Sequence, residues 1–392
     1  MDNFDKNLNI SYVDESLPAP DDKLISKHYF CSIFVYLSIY FILQCNPFFK
    51  NYFIEDFHFF YIATLTIYAI IAPIIFFVFR PKSLYMSNNI KICDYLIRIF
   101  KKIFNKNTII KQDYKNILND LIPTYHEKQA LMLIFIKVFF GVLMVKFLYN
   151  NILSISASID KFNEIFSSRT VDFGFYYLKE IITENCDFIY GFIITILFSV
   201  DIIFFVIGYL SECQFLNNKV RSVDTSILGV ICCLICYPPF NNVTSDFVGW
   251  NQNDYAMPQN GDMYVLGWIL RIIALFFLLI YASASVALGT KASNLTNRGT
   301  VSIFPYNIVR HPAYISKNLF WLFTTIPLLI VNFQTVNFGE YIVRMLLVML
   351  SWIAWATIYY VRSITEERHL MQDPEYQEYA KKVRWRFIPF VI

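Results

Sequence analysis

Long apolar runs recur along the whole chain, at roughly 29–45, 58–79, 129–150, 188–210, 225–239, 264–288, 318–333 and 340–361. Most are long enough to cross a bilayer as helices. Backbone polar groups in lipid must be satisfied internally, which leaves helices or closed barrels. A barrel would show short segments of alternating polarity. These runs are unbroken, so they predict an all-α, polytopic integral membrane bundle of about eight transmembrane helices. Of the 392 residues, 56% are hydrophobic and only 16% charged, too apolar a balance for a soluble domain of that length. The fifth and seventh runs are short, and are expected to be tilted, re-entrant or partly interfacial. The formal charge of +3 and the lack of a long basic tract exclude a nucleic-acid partner.

The loops predict an orientation. Residues 80–117 carry Arg80, Lys82, Lys91, Arg98, Lys101, Lys102, Lys106, Lys111 and Lys115. The 290–317 loop carries Lys291, Arg298, Arg310 and Lys317, and the tail adds Arg362, Arg368, Lys381, Lys382, Arg384 and Arg386. With eight crossings all three fall on one side, and excess positive charge makes that side cytoplasmic. Residues 1–28 are polar and acid-rich with no apolar signal-peptide core, so the first span reads as a retained anchor and both termini as cytoplasmic, in a cell inner membrane. Residues 91–106 intersperse apolar and basic side chains, the pattern either of a helix lying on anionic lipid or of a solvated cytoplasmic helix.

Charges inside the apolar runs need an account. Lys146 and Arg344 lie near span ends and can snorkel to the interface. Asp201 lies deeper, and two readings stand: a ligand contact, or an ion pair with Lys137 or Arg271. Cys232, Cys233 and Cys236 read as small packing residues, because no His or acidic partner accompanies them at metal-binding spacing.

Two polar clusters bracket the last apolar hairpin. One is Arg310-His311-Pro312-Ala313-Tyr314; the other is Glu366-Glu367, followed by a tail ending Arg384-Trp385-Arg386-Phe387-Ile388-Pro389. Two crossings return the chain to the face it left, so His311 and Glu366 are expected to share one pocket there. Arg310 offers a fork for a carboxylate or phosphate. Tyr306 and Tyr314 offer aromatic faces with polar tips. Glu366 and Glu367 suit an ammonium, ribose hydroxyls or developing positive charge. The set fits a zwitterionic, aromatic-bearing small molecule better than a metal, and no metal is expected.

The stretch Phe304-Pro305-Tyr306 through Arg310-His311-Pro312-Ala313-Tyr314, then Glu366-Glu367, Tyr379 and Arg386-Phe387-Ile388-Pro389, resembles the isoprenylcysteine carboxyl methyltransferases, which are related to membrane phospholipid methyltransferases. Ser293 to Gly299 and Cys236-Tyr237-Pro238-Pro239-Phe240 look like features of a bacterial branch. The likeness covers roughly 290–392; Phe304 and Ser316 stand where the pattern has Gly. It implies S-adenosyl-L-methionine as methyl donor, bound in a C-terminal cofactor-binding segment by Tyr306, Arg310, His311, Pro312, Tyr314, Glu366 and Glu367. It also implies Glu366, Arg384 and Arg386 as catalytic residues, and a lipophilic acceptor such as prenylcysteine or a related isoprenoid or lipid. The division that follows is a polar tail over 1–28, an N-terminal transmembrane region over 29–262 and a methyltransferase-like membrane domain over 263–392. Two other readings stand beside it. One is a sterol-reductase-like enzyme using NADPH, although Ala313 and Ser316-Lys317 depart from that pattern. The other is a non-enzymatic transporter or lipid-binding protein with Lys137, Asp201 and Arg271 along its path.

Overall fold

The computed structural model describes residues 17–47, 57–104, 121–167, 184–212, 216–241, 262–335 and 337–391. Among them are ten α-helices: α1 (Asp22–Cys45), α2 (Phe57–Phe79), α3 (Asn88–Phe104), α4 (Tyr125–Ser167), α5 (Cys186–Leu210), α6 (Ile227–Leu234), α7 (Asp262–Leu288), α8 (Pro312–Thr335), α9 (Phe338–Leu370) and α10 (Pro374–Lys382). Six of these, α1, α2, α4, α5, α7 and α9, contain stretches long and apolar enough to cross a membrane. Isoleucines and phenylalanines such as Ile70, Ile74, Ile272 and Phe276 stand exposed on them, a surface suited to lipid.

Two expected spans look different. The run at 225–239 forms only α6, eight residues and about 12 Å long, well short of a hydrocarbon core of about 30 Å. Ser226 caps it by accepting from the Gly229 amide, and Pro238-Pro239 follow too closely for the helix to continue. The seventh run extends into α8, 24 residues, whose first turns carry Ser316, Lys317 and Asn318. At 24 residues it is long enough to span.

The chain folds as two compact units, Met1–Lys146 with Val220–Thr225, and Phe147–Lys219 with Ser226–Ile392. In the first, α1 packs on α2 and α3. Asp21 caps α1 by accepting from the Leu24 amide at 2.8 Å. Tyr29 and Tyr61 tie α1 to α2 through the carbonyls of Ala69 (3.0 Å) and Tyr36 (2.8 Å). α3 is amphipathic: Ile92 and Cys93 are buried, while Leu96, Ile97, Phe100 and Phe104 are exposed beside Lys101 and Lys102. At the start of α4, Glu127 accepts from Arg98 at 2.7 Å and from the Thr124 amide at 2.8 Å.

The second unit is built on helix direction. Asp187 pairs with Arg271, Ser285 donates to Asp201 at 2.5 Å, and Gly208 lies against the Ala292 carbonyl. Each contact advances along α5 and α7 together, so these two helices run parallel. α8 packs antiparallel on α7, with Phe323 stacked on Phe277 and Lys317 over Tyr281. α9 returns antiparallel to α8, its Trp352 donating to the Asn318 carbonyl at 3.0 Å. The C-terminal ends of α5, α7 and α9 thus meet the N-terminal end of α8. Tyr281, Trp321, Trp355 and Tyr359 form the core beneath that junction.

Candidate functional site

At the junction, Pro312 occupies the first position of α8, where its missing N–H costs nothing. The two amides before it are satisfied by the tail: Arg310 N donates to Trp385 O and His311 N to Arg386 O, both at 2.9 Å. Phe304 is not one of the non-glycine residues with positive φ, which among the described residues are Arg80, Asn217, Leu295 and Phe390. A side chain is therefore accommodated where glycine was the expected residue. Ser316 turns its hydroxyl onto the Pro312 carbonyl at 2.6 Å and is buried.

Glu366 and Glu367 are neighbours on α9, so their side chains leave the helix about 100° apart. Each serves a different partner set. Glu367 is 5% exposed and receives Arg310 Nε (2.8 Å), Arg310 NH2 (3.3 Å), His311 Nε2 (3.0 Å) and Arg386 NH2 (2.7 Å). The rest of the Arg310 fork reaches the carbonyls of Val383 (2.9 Å) and Arg384 (2.8 Å). One guanidinium therefore clamps helix and tail together. The carboxylate of Glu367 in turn raises the Arg386 pKa. Glu366 faces a cavity of about 150 Å³, where it accepts from the Tyr314 hydroxyl at 2.5 Å. The Tyr314 ring stacks on His311, 5.2 Å between centroids and 14° from parallel.

The cavity brings together some expected residues and leaves out others. Tyr306, Arg310, His311, Tyr314 and Glu366 line it. Pro312, Glu367, Arg384 and Arg386 do not. The Arg384 side chain is exposed, and Arg386 is held by Glu367, so neither arginine reaches the cavity that Glu366 faces. Nor does Asp201 pair with Arg271. It accepts from Tyr281 (2.7 Å) and Ser285 (2.5 Å) at the inner end of the cavity, while Arg271 pairs with Asp187 between the rings of Tyr190 and Trp268.

The cavity wall also holds residues that motif reading did not assign. Arg362 donates to Asn294 Oδ1 at 2.6 Å and lies over the Tyr314 ring at 5.2 Å. Asn294 also donates to Tyr237 at 3.0 Å and, through its backbone amide, to Tyr209 at 2.9 Å. Arg298 binds the carbonyls of Asn218 and Gly208 and the Ser293 hydroxyl. Asn297 donates to Asp373, the N-cap of α10, at 2.8 Å. The signal for these was the stretch from Ser293 to Gly299, dense in amides and hydroxyls between two apolar runs. Arg362 lies one turn before Glu366, on the same face of α9.

Seven tyrosines face this cavity: Tyr237, Tyr281, Tyr306, Tyr314, Tyr359, Tyr376 and Tyr379. Burial pushes the phenols of Tyr306, Tyr376 and Tyr379 well above their usual pKa, so they stay neutral hydrogen-bonding groups. Tyr379 donates to the Tyr306 carbonyl at 2.7 Å and fixes the tail against the loop. Aromatic faces beside a carboxylate attract a cation, while the amides and arginines suit hydroxyls and carboxylates. That donor set fits a small zwitterion carrying a positive centre. No protein-family model, curated protein or solved structure matches the chain.

Proposed function

We propose that this chain is an integral membrane methyltransferase that binds S-adenosylmethionine at the junction of α8, α9 and the tail and methylates a lipophilic acceptor. The acceptor class is a carboxylate such as a prenylcysteine or a related isoprenoid or lipid. The site faces the cytoplasm, in a multi-pass protein with both termini on that side. The observation that carries the reading is that Arg310-His311-Pro312-Ala313-Tyr314 and Glu366-Glu367, separated by a whole helical hairpin, are joined by direct hydrogen bonds beside one tyrosine-rich cavity.

When bound, S-adenosylmethionine supplies an electrophilic methyl group on a sulfonium. The residues then have three tasks. Glu366 and the tyrosine faces hold positive charge, with Tyr314 fixing the Glu366 carboxylate. Asn294 and Arg362 present a donor-rich wall to polar groups. Glu367 and Arg386 stand off the cavity and, with Arg310, close the tail over the loop and exclude water. A carboxylate acceptor is already an anion, so alignment and charge balance matter more than a general base.

The test is calorimetry on the purified protein in neutral detergent with S-adenosylmethionine and, in parallel, NADPH. Isotopically labelled methyl donor would follow, with mass spectrometry of membrane lipids and lipidated peptides. Binding of the methyl donor and not of NADPH is expected, with label entering a lipophilic product. Binding of NADPH alone would replace the proposal with a reductase.

A further inference from the structure

The cationic side chains lining the whole cavity are Lys291, Arg298, Arg310, Lys317 and Arg362, with His311 beside them. The methyl-donor reading leaves the lysines without a role. All three arginines are committed to protein oxygens. The two lysines are not: among the described residues neither side chain makes a hydrogen bond or ion pair. Lys291 ends the short turn that follows α7. Lys317 is five residues into α8, about 8 Å along the helix from Pro312. Its ammonium lies over the rings of Tyr281 (5.2 Å) and Trp321 (5.1 Å). Asp201 is also at this end of the cavity, and its two oxygens are already engaged by Tyr281 and Ser285.

Asp201 is the nearest carboxylate to this ammonium but spends its two oxygens on Tyr281 and Ser285, so three N–H donors lie over aromatic faces inside a bundle and open to a cavity, which suits an anion. We infer that Lys317 holds the anionic head of the acceptor, a carboxylate or phosphate on an amphiphile whose chain lies among the apolar helices. This rests on the proposed methyltransferase reading and names its second subsite. It separates the ligands by charge: the cationic donor beside Glu366 and the tyrosines at the outer pole, and the anionic head at Lys317. Asp201 fixes Tyr281 and Ser285 beside it.

The experiment titrates the full-length protein in neutral maltoside with dodecanoate, dodecyl phosphate, dodecanol and dodecyltrimethylammonium, with S-adenosylmethionine binding measured alongside. The anionic amphiphiles are expected to bind and the neutral and cationic ones not. Dodecanoate alone identifies a carboxylate acceptor, and dodecyl phosphate alone a phosphorylated one. Lys317→Gln should weaken anion binding about tenfold or more while donor affinity holds, and Lys317→Arg should restore it. Asp201→Asn should tighten anion binding by removing a neighbouring negative charge. Because Lys317→Gln leaves Asp201 without its nearest cation, the double variant Asp201→Asn/Lys317→Gln provides a charge-neutral check and should also lose anion binding. Equal binding of anionic and neutral amphiphiles, or undiminished anion binding in both Lys317→Gln and the double variant, overturns the inference. So does a loss in Lys291→Gln that Lys317→Gln does not share. A wild-type protein that binds no methyl donor sinks the underlying reading instead, and the two failures are told apart by which titration is silent.

Discussion

His311 and Arg386 approach one carboxylate from opposite sides of the last helical hairpin: His311 Nε2 lies 3.0 Å from Glu367 Oε1 and Arg386 NH2 lies 2.7 Å from Glu367 Oε2. Together with Arg310, they make Glu367 the point where the loop before α8, the end of α9 and the tail are held together.

Replacing Glu367 by Ala strands three partners, two of them always cationic. Removing one side of a buried charged network costs about 3–5 kcal/mol. Thermal unfolding in detergent should therefore shift strongly for Glu367→Ala and little for Glu366→Gln. Equal shifts for the two variants would contradict the division of roles between these neighbours.

The Tyr314 hydroxyl holds Glu366 at 2.5 Å inside the cavity. Tyr314→Phe keeps the ring stacked on His311 but removes that donor, a loss of about 1.5–3 kcal/mol for a hydrogen bond to a charged group. Affinity for S-adenosylmethionine should fall, by calorimetry, with the fold intact. Glu366→Gln and His311→Ala should weaken it as well; unchanged affinity in both would count against the proposed function.

Arg310→Lys keeps the charge and loses the fork. A lysine cannot reach Glu367 and the carbonyls of Val383 and Arg384 at once. The tail should loosen, and trypsin should cleave after Arg384 and Arg386 faster than in the wild type, as followed by intact-mass analysis.

The two tail arginines should behave differently. Arg384→Ala alters an exposed side chain and should stay within about 0.5 kcal/mol of the parent in stability. Arg386→Ala removes a Glu367 partner and should lower the unfolding temperature.

Gly208 is needed for close approach. A Cβ there would sit 1.9 Å from the Ala292 carbonyl oxygen, a backbone atom. Gly208→Ala should therefore destabilise the second unit by about 1–3 kcal/mol or more. It should also disturb Arg298, which binds the Gly208 carbonyl at 2.6 Å. Hydrogen exchange across the ends of α5 and α7 would show it.

Much of this was readable in the chain because apolar length is a strong signal. α1, α2, α4, α5, α7 and α9 fall on runs that hydropathy alone marks. The run at 225–239 misled because composition does not say where a helix is stopped, and here Pro238-Pro239 cut it short. The pairing of the two polar clusters was legible from the parity of two crossings. The separate roles of Glu366 and Glu367 were not, because adjacent residues on a helix point about 100° apart and sequence does not set the helix rotation. The placement of Arg384 and Arg386 was not legible either: nothing in a basic tail says that Glu367 holds Arg386 while Arg384 faces solvent. Lys317 registered only as loop charge, since nothing local reveals that it lies over Tyr281 and Trp321.

The carbonyls of Trp385 and Arg386 that receive the Arg310 and His311 amides belong to residues synthesised after every helix that lines the cavity. During translation the hairpin can enter the bilayer while those amides and the Glu367 carboxylate still lack their final partners. Competence to hold a ligand therefore arrives as a last, discrete event, and a nascent chain arrested before residue 385 should be membrane-integrated yet inert.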